Sequence, residues 1–241
     1  MISIICCSND EQTLKEMLIS SLEKQINKDY ELIIVDAKKH NFISASQSLN
    51  YGIKQSHGEI IMICHQDIKF LDSDFLNKVV LYVKNNPKAI FGLAGCGYDH
   101  IVYSTVKHGK NKKYAGTTFD EIKSIQTLDE VCIFFCKDNF YGFSEENKTW
   151  HLYGTQLCLD NIKRGNENFV IPSNVYHKSS GNSMNNAFFI EYKRICKIYN
   201  DVKFINTTML ILKNNAICLF FGILYKKIKR FIKRILKITN D

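Results

Sequence analysis

The sequence predicts an α/β fold built on a mostly parallel sheet, and three observations carry that expectation. Three apolar runs, residues 2–7 (ISIICC), 30–35 (YELIIV) and 59–64 (EIIMIC), have the length and β-branched content of buried strands. Helically spaced segments separate them, giving the strand, helix, strand, helix, strand order that βαβ units produce. Each run also stops in polar residues: Ser8, Asn9 and Asp10, then Asp36, then His65 and Asp67. Ligands of a parallel sheet sit beyond the carboxyl ends of its strands, so these residues are expected to converge.

Taken in order, Ser8-Asn9-Asp10 breaks the first strand, and Leu14, Met17, Leu18 and Leu22 follow at helical spacing. Leu49, Gly52 and Ile53 mark a second helix, closing at His57-Gly58 as a glycine stop. Phe75, Val79, Val80 and Val83 predict a third helix, and residues 89–94 a further strand. From 98 to 127 the chain is polar, Lys-rich between Lys107 and Lys113, and reads as a mobile loop over the sheet edge. Leu128 to Val131 lead into another apolar run, 132–136, and an aromatic-rich loop, 140–150. Residues 151–162 have helical spacing that ends at Arg164-Gly165, and a short strand at 170–172 precedes Val175-Tyr176-His177.

The 241 residues, 45% hydrophobic and 23% charged, suit one sizeable core with an appendage, not a disordered chain. The net charge of +8 is uneven: eight Lys/Arg and one acid in residues 213–241 give +7 there, leaving +1 for the body. So neutral a body lacks the basic footprint of a nucleic-acid-binding surface. The nine cysteines are odd in number, lack a CxxC pair and lie mostly in apolar runs. They read as buried thiols of a reducing compartment, not as a disulfide framework or zinc site. The N-terminus opens on a strand-like run without a basic lead, so a cytoplasmic body is expected.

Near the C-terminus, residues 216–225 (AICLFFGILY) are almost wholly apolar, but a bilayer-crossing helix needs roughly twice that length. Beyond them Ile228, Phe231, Ile232, Ile235 and Leu236 recur at spacings of three and four. Lys226, Lys227, Lys229, Arg230, Lys233, Arg234 and Lys237 take the other face. This pattern predicts a helix lying on an anionic membrane surface. The competing reading is a helix packed on the body with its basic face in water.

The ordered series of strands and motifs over residues 2–183 resembles glycosyltransferase family 2 and related GT-A enzymes, especially the bacterial glycosyltransferase-like subgroup. The matching residues are Ser8-Asn9-Asp10 after the first strand, Glu31 to Asp36 (ELIIVD), and Asn50, Gly52, Gly58 and Glu59 around the second helix. His65-Gln66-Asp67 stands as a variant of the D-x-D metal motif. Asp129-Glu130, His151 with Tyr153, and His177, Ser179 and Gly181 follow downstream. The resemblance implies a GT-A nucleotide-sugar-binding domain over 1–183; residues 184–241 are expected to form a helical extension, whose segment 216–238 the residue pattern above, independently of the family, predicts to associate with membrane.

The resemblance further implies a nucleotide-diphosphate sugar as donor, Mn²⁺ or Mg²⁺ as cofactor, and a lipid-linked or cell-surface glycan as acceptor. A divalent cation neutralises the charge that the departing diphosphate develops. Asp67 and His177 are the implied metal ligands, and His65, in place of the first Asp of D-x-D, contacts ribose or metal. Asp36 is implied to accept hydrogen bonds from the base, with Ser8, Asn9, Asp10 and Asn50 around the nucleotide; for Asp10 a helix N-cap is the plain alternative. An inverting transfer needs a base for the acceptor hydroxyl. Where relatives keep carboxylates this chain has Gly154 and Gln156, which leaves Asp129, Glu130 and His151 as candidates. The competing functions are a catalytically silent nucleotide-sugar-binding or scaffold protein and a nucleotidyltransferase. The latter expects a Gly-rich basic loop after the first strand, and Cys7-Ser8-Asn9-Asp10 is not one.

Overall fold

The computed structural model describes residues 1–179 and 184–238, with side chains described as far as residue 232. Gly181 and the domain boundary expected at 183 lie outside the described residues.

The first half alternates as expected. β1 (Ile2–Cys7) leads into α1 (Glu11–Leu14), which passes through a π-helical turn (Lys15–Ile19) into α2 (Ser20–Leu22). β2 (Tyr30–Val35), α3 (Ala45–Lys54), β3 (Ile60–Cys64), β4 (Ile68–Phe70), α4 (Phe75–Asn85) and β5 (Ile90–Gly92) follow. After β6 (Ala94–Cys96), the region expected to be a loop is instead built of short strands: β7 (Val102–Ser104), β8 (Val106–His108), β9 (Lys113–Tyr114), β10 (Lys123–Ile125) and, at its end, β11 (Thr127–Leu128). Strands of two or three residues are too short for a two-residue alternation to declare itself, and some of them, β8 and β10, take partners far along the chain. Thereafter come β12 (Cys132–Cys136), α5 (Tyr153–Lys163), β13 (Asn168–Val170), β14 (Val175–His177), α6 (Asn186–Ile198), the hairpin β15 (Phe204–Asn206) and β16 (Ile211–Lys213), and α7 (Ala216–Ile238).

The main sheet has the order β10-β13-β5-β12-β3-β1-β2. Its β1–β2, β1–β3 and β5–β13 pairs are parallel; β3–β12, β5–β12 and β10–β13 are antiparallel. The sheet is therefore mixed in equal parts. Side chains alternate across it. Ile4, Cys6 and Met62 face α1 and α4, while Ile5, Ile61 and Ile63 face α3 and α5, burying both faces. A second sheet, β4-β14-β8-β9, stands beside the site.

Residues 184–215 are bonded into the body. Gln126 donates to Phe204 O and accepts from Asn206 N, Asn206 donates to Gly97 O, and the Thr127 hydroxyl donates to Asn206 O. A third apolar cluster joins α6, the β15–β16 hairpin and Ile223 of α7 to Leu152 and Leu159.

Gly58 does not stop a helix, since α3 ends at Lys54. It serves a close approach: a Cβ there would lie 2.7 Å from Ser3 N and 2.8 Å from Met1 O. This lets Gly58 N donate to Ser3 Oγ, which donates in turn to Glu31 Oε1. Glu31 also accepts from the backbone and ring nitrogens of His57, tying β1, β2 and the turn before β3 together. Burial opposes the Glu31 charge, but the Ser3 and His57 donors win and hold its carboxyl at about 2, against an ordinary 4.5. A carboxylate depressed on folding stabilises above its unfolded pKa and loses that contribution as pH falls through the folded value. Glu31→Gln is therefore expected to cost on the order of 2 kcal/mol near neutral pH, with the gap to the parent closing from about pH 4.5 toward pH 2. Urea unfolding across that range measures it; a pH-independent gap would remove the ionised carboxylate from the account.

Candidate active site

The carboxyl ends of β1, β2 and β3 meet at one edge because the three strands are parallel and in register, Cys7 opposite Val35 and Ile5 opposite Ile63. Gln66 knits this edge. Its Oε1 accepts from Ser8 Oγ (2.7 Å), Asn9 N (3.0 Å) and Asp10 N (3.1 Å), and its Nε2 donates to Asn9 Oδ1 (2.7 Å). Beside it opens a cavity of about 900 Å³, lined among others by Ser8, Asn9, Lys38, Phe42, His65, Asp67, Trp150 and Tyr153. Such a volume is in the range of cavities that hold a small-molecule ligand.

A cluster of three histidines and a carboxylate lies beside it. β4 starts directly after Asp67 and pairs with β14, setting His177 opposite Ile68; β14 also pairs with β8, setting His177 opposite His108. Asp67 Oδ1 lies 3.1 Å from His177 Nε2, and Asp67 Oδ2 accepts from Ser179 N at 3.1 Å. His65 Nδ1 is 3.4 Å from His177 Nε2, and His108 Nδ1 is 3.1 Å from His177 Nδ1. One ligand atom from each of His65, Asp67 and His177 falls within 4.8 Å of the others. Two imidazole nitrogens and a carboxylate oxygen so disposed fit a divalent cation, and the nitrogens favour Mn²⁺ or another transition ion over Mg²⁺. Burial, and then the neighbouring His177, lower the pKa values of both His65 and His108, favouring the neutral rings that ligate metals. Burial alone would raise the Asp67 pKa; the His177 hydrogen bond and charge, His65 and Ser179 N outweigh it and keep the carboxylate ionised.

A smaller cavity of about 450 Å³ shares His65 and Asp67 with the first and extends past His177 to Asp129, Glu130 and His151. Asp129 is anchored at both oxygens, by Val131 N (3.1 Å) and the Thr208 hydroxyl (2.7 Å). Burial, and the adjacent Asp129 charge, push the Glu130 carboxyl up to about 8, so it is protonated at neutral pH while accepting from Gly154 N. Burial lowers the His151 pKa.

Of the residues singled out from the sequence, Ser8, Asn9, His65 and Asp67 line the larger cavity, and His177, Asp129, Glu130 and His151 the smaller. Three others are not among the cavity-lining residues. Asp10 caps α1, accepting from Thr13 N and Oγ1. Asp36 braces the turn after β2 by accepting from Lys38 N and Lys39 N, so Ala37 and Lys38 reach the cavity in its place. Asn50 clamps Phe143 in both directions, fixing the loop that carries Trp150. The sequence reading missed His108, hidden in a Lys-rich stretch, and Gln66, whose role needs the strand-end geometry. It also missed Lys38, Phe42 and Trp150, which carry no motif.

The fold matches solved structures of TarS from S. aureus. The TarS 1–349 complex with UDP-GlcNAc superposes with a TM-score of 0.56 at 16% identity, over 82% of this chain and 64% of that one. The UDP complex gives 0.57 at 16% identity, over 81% and 64%, and the longer TarS chain 0.53 at 18%, over 81% and 39%. The chain thus spans less than two thirds of these structures, and the likeness is one of GT-A fold. No curated protein matches it in sequence. The profile of a family described as glycosyltransferase like matches residues 3–203, most of the length over which the sheet, the histidine cluster and both cavities are built. The chain belongs to this glycosyltransferase-like family.

Proposed function

We propose that the protein transfers a sugar, with inversion, from a nucleoside-diphosphate sugar in the larger cavity to a hydroxyl of an acceptor in the smaller one. The observation that carries this reading is that the two cavities share His65 and Asp67, and that the smaller one is also lined by Asp129. The TarS complexes with UDP and UDP-GlcNAc make a uridine donor the first to test. Phe42 and Trp150 offer aromatic faces for the base or sugar, and Lys38 a cation for phosphate.

His65, Asp67 and His177 would hold the divalent cation, which when bound supplies Lewis-acid neutralisation of the leaving diphosphate. His108 orients His177 through the ring nitrogen that does not face Asp67. In the transfer, the acceptor oxygen bonds to the anomeric carbon as the carbon–oxygen bond to diphosphate breaks, its electron pair leaving on the nucleotide. The acceptor proton passes to Asp129. Of the three candidates Asp129 is favoured as base, because Glu130 already carries a proton at neutral pH. Leu152, Phe188 and Met209 give the smaller cavity an apolar side suited to a lipid-linked or cell-surface glycan acceptor. A catalytically silent sugar-nucleotide-binding protein is the second reading, motivated by Gly154 and Gln156 where relatives carry acids.

Calorimetry with Mn²⁺ alone is expected to show saturable binding that Asp67→Ala and His177→Ala abolish. His108→Ala should weaken it about 10-fold with the fold intact by circular dichroism. Unchanged Mn²⁺ affinity in Asp67→Ala would exclude this metal site. With UDP-, GDP- and dTDP-sugars, Mn²⁺ and a membrane extract as acceptor source, Asp129→Asn should lower turnover at least ~100-fold while donor affinity stays within a few-fold. Metal-dependent donor binding without any turnover by the parent protein would overturn the transferase reading and leave the silent one.

A further inference from the structure

Helix α7 rests on the body by one narrow face. Ile223 is buried in the third apolar cluster, Leu219 packs against that cluster, and Gly222 approaches Leu212 so closely that a Cβ would sit 2.5 Å from its Cδ2. At about 100° per residue, these positions and the half-buried Lys226 and Arg230 share one side of the helix. The opposite side carries Ile217, Phe220, Phe221, Leu224, Ile228 and Phe231, each between 42% and 72% exposed. The amphipathic helix is thus mounted with its apolar stripe away from the protein, the reverse of a helix packed on a core. The stripe runs for about 20 Å, far beyond the scattered apolar residues usual on a soluble surface. No helix among the described residues is long and apolar enough to cross a membrane.

Cations flank the stripe. Lys227 and Lys229 stand on either side of it, Lys227 with its ammonium 5.5 Å from the Phe189 ring of the body and Lys229 with its own 5.9 Å from the Tyr225 ring. There is no acid between residues 202 and 240, so the segment is cationic throughout. A second copy of this chain would bring these cations against like charge, whereas an anionic lipid surface complements both the stripe and its flanks.

We infer that α7 is a built-in docking surface for an anionic lipid bilayer, lying flat with Phe220, Phe221 and Phe231 in the acyl boundary and Lys227 and Lys229 among the headgroups. The helix sits on the same apolar cluster that contributes Leu152 and Phe188 to the wall of the smaller cavity. Docking here would therefore bring that cavity's wall close to the lipid. The inference does not depend on the transfer reaction and is tested without donor or metal.

The test is sedimentation of the full chain with vesicles of phosphatidylcholine alone, or of phosphatidylcholine with about a third phosphatidylglycerol. The protein is expected to partition onto the anionic vesicles only, with binding lost at high salt. Lys227→Gln with Lys229→Gln should lower partitioning about 25-fold, at roughly fivefold per cation. Phe220→Ser with Phe231→Ser should abolish it, while Phe220→Leu with Phe231→Leu keeps it, which separates loss of lipid contact from loss of folding. Equal binding to both vesicles, or no binding, overturns the inference. So does a dimer that the Phe→Ser pair converts to monomer in the absence of vesicle binding.

Discussion

The geometry of the candidate site depends on one pairing, the antiparallel insertion of β12 between β3 and β5. With Cys132 opposite Cys64, the chain enters β12 at the edge where β3 leaves the sheet, and His65 N donates to Val131 O across that gap. Asp129 and Glu130 are thereby delivered beside His65 and Asp67. Were β12 parallel to β3, its lead-in would arrive at the opposite edge, about 16 Å away for a five-residue strand, and the acids would face the wrong end of the sheet. The departure from an all-parallel sheet is therefore what gives the site its second carboxylate.

Asp67 performs the second joining. Its backbone carbonyl accepts from Lys178 N, and its carboxylate accepts from Ser179 N and meets His177. One residue thus joins the carboxyl edge of the main sheet to the small sheet that carries His177 and His108. Register supplies the rest, since the alignment of β14 with β4 and β8 sets His177 between Ile68 and His108. A slip of one residue would turn Tyr176 toward the cluster and His177 away.

What the sequence made legible follows from where its signals are local. The runs 2–7, 30–35 and 59–64 became strands because they are long, apolar and bounded, and their polar ends named Asn9, His65 and Asp67 correctly as neighbours of one cavity. Between 98 and 127 the signal failed. β8 is three residues long, its Lys107 and the lysines beyond it speak for solvent, and its strand partners are β14, some 70 residues away, and the two-residue β9. His108 was invisible for the same reason. Asp36 and Asn50 show what a motif leaves unsaid: in the structure their side chains brace a turn and a loop, and the cavity is lined by residues of the segments they brace. Cysteines read as buried thiols are free in the structure, six of the nine buried.

Gly154 and Gln156, which from the sequence alone weakened the transferase reading, have structural occupations. A Cβ at Gly154 would lie 2.7 Å from Ile133 Cδ1 and 3.3 Å from Glu130 Cγ, so the first turn of α5 packs against β12 with no room for a longer side chain. Its N–H, one of the donors a helix start leaves without an intrahelical partner, is taken by Glu130. Gln156 accepts from Arg194, whose guanidinium also pairs with Glu191 and so holds α5 against α6. A carboxylate at 154 would stand against Glu130 and Asp129, three acids in a partly buried space, where one of them must stay protonated already. The residues at 154 and 156 thus serve packing between α5, β12 and α6, and the proposed transfer draws its proton acceptor from the Asp129–Glu130 pair that precedes β12.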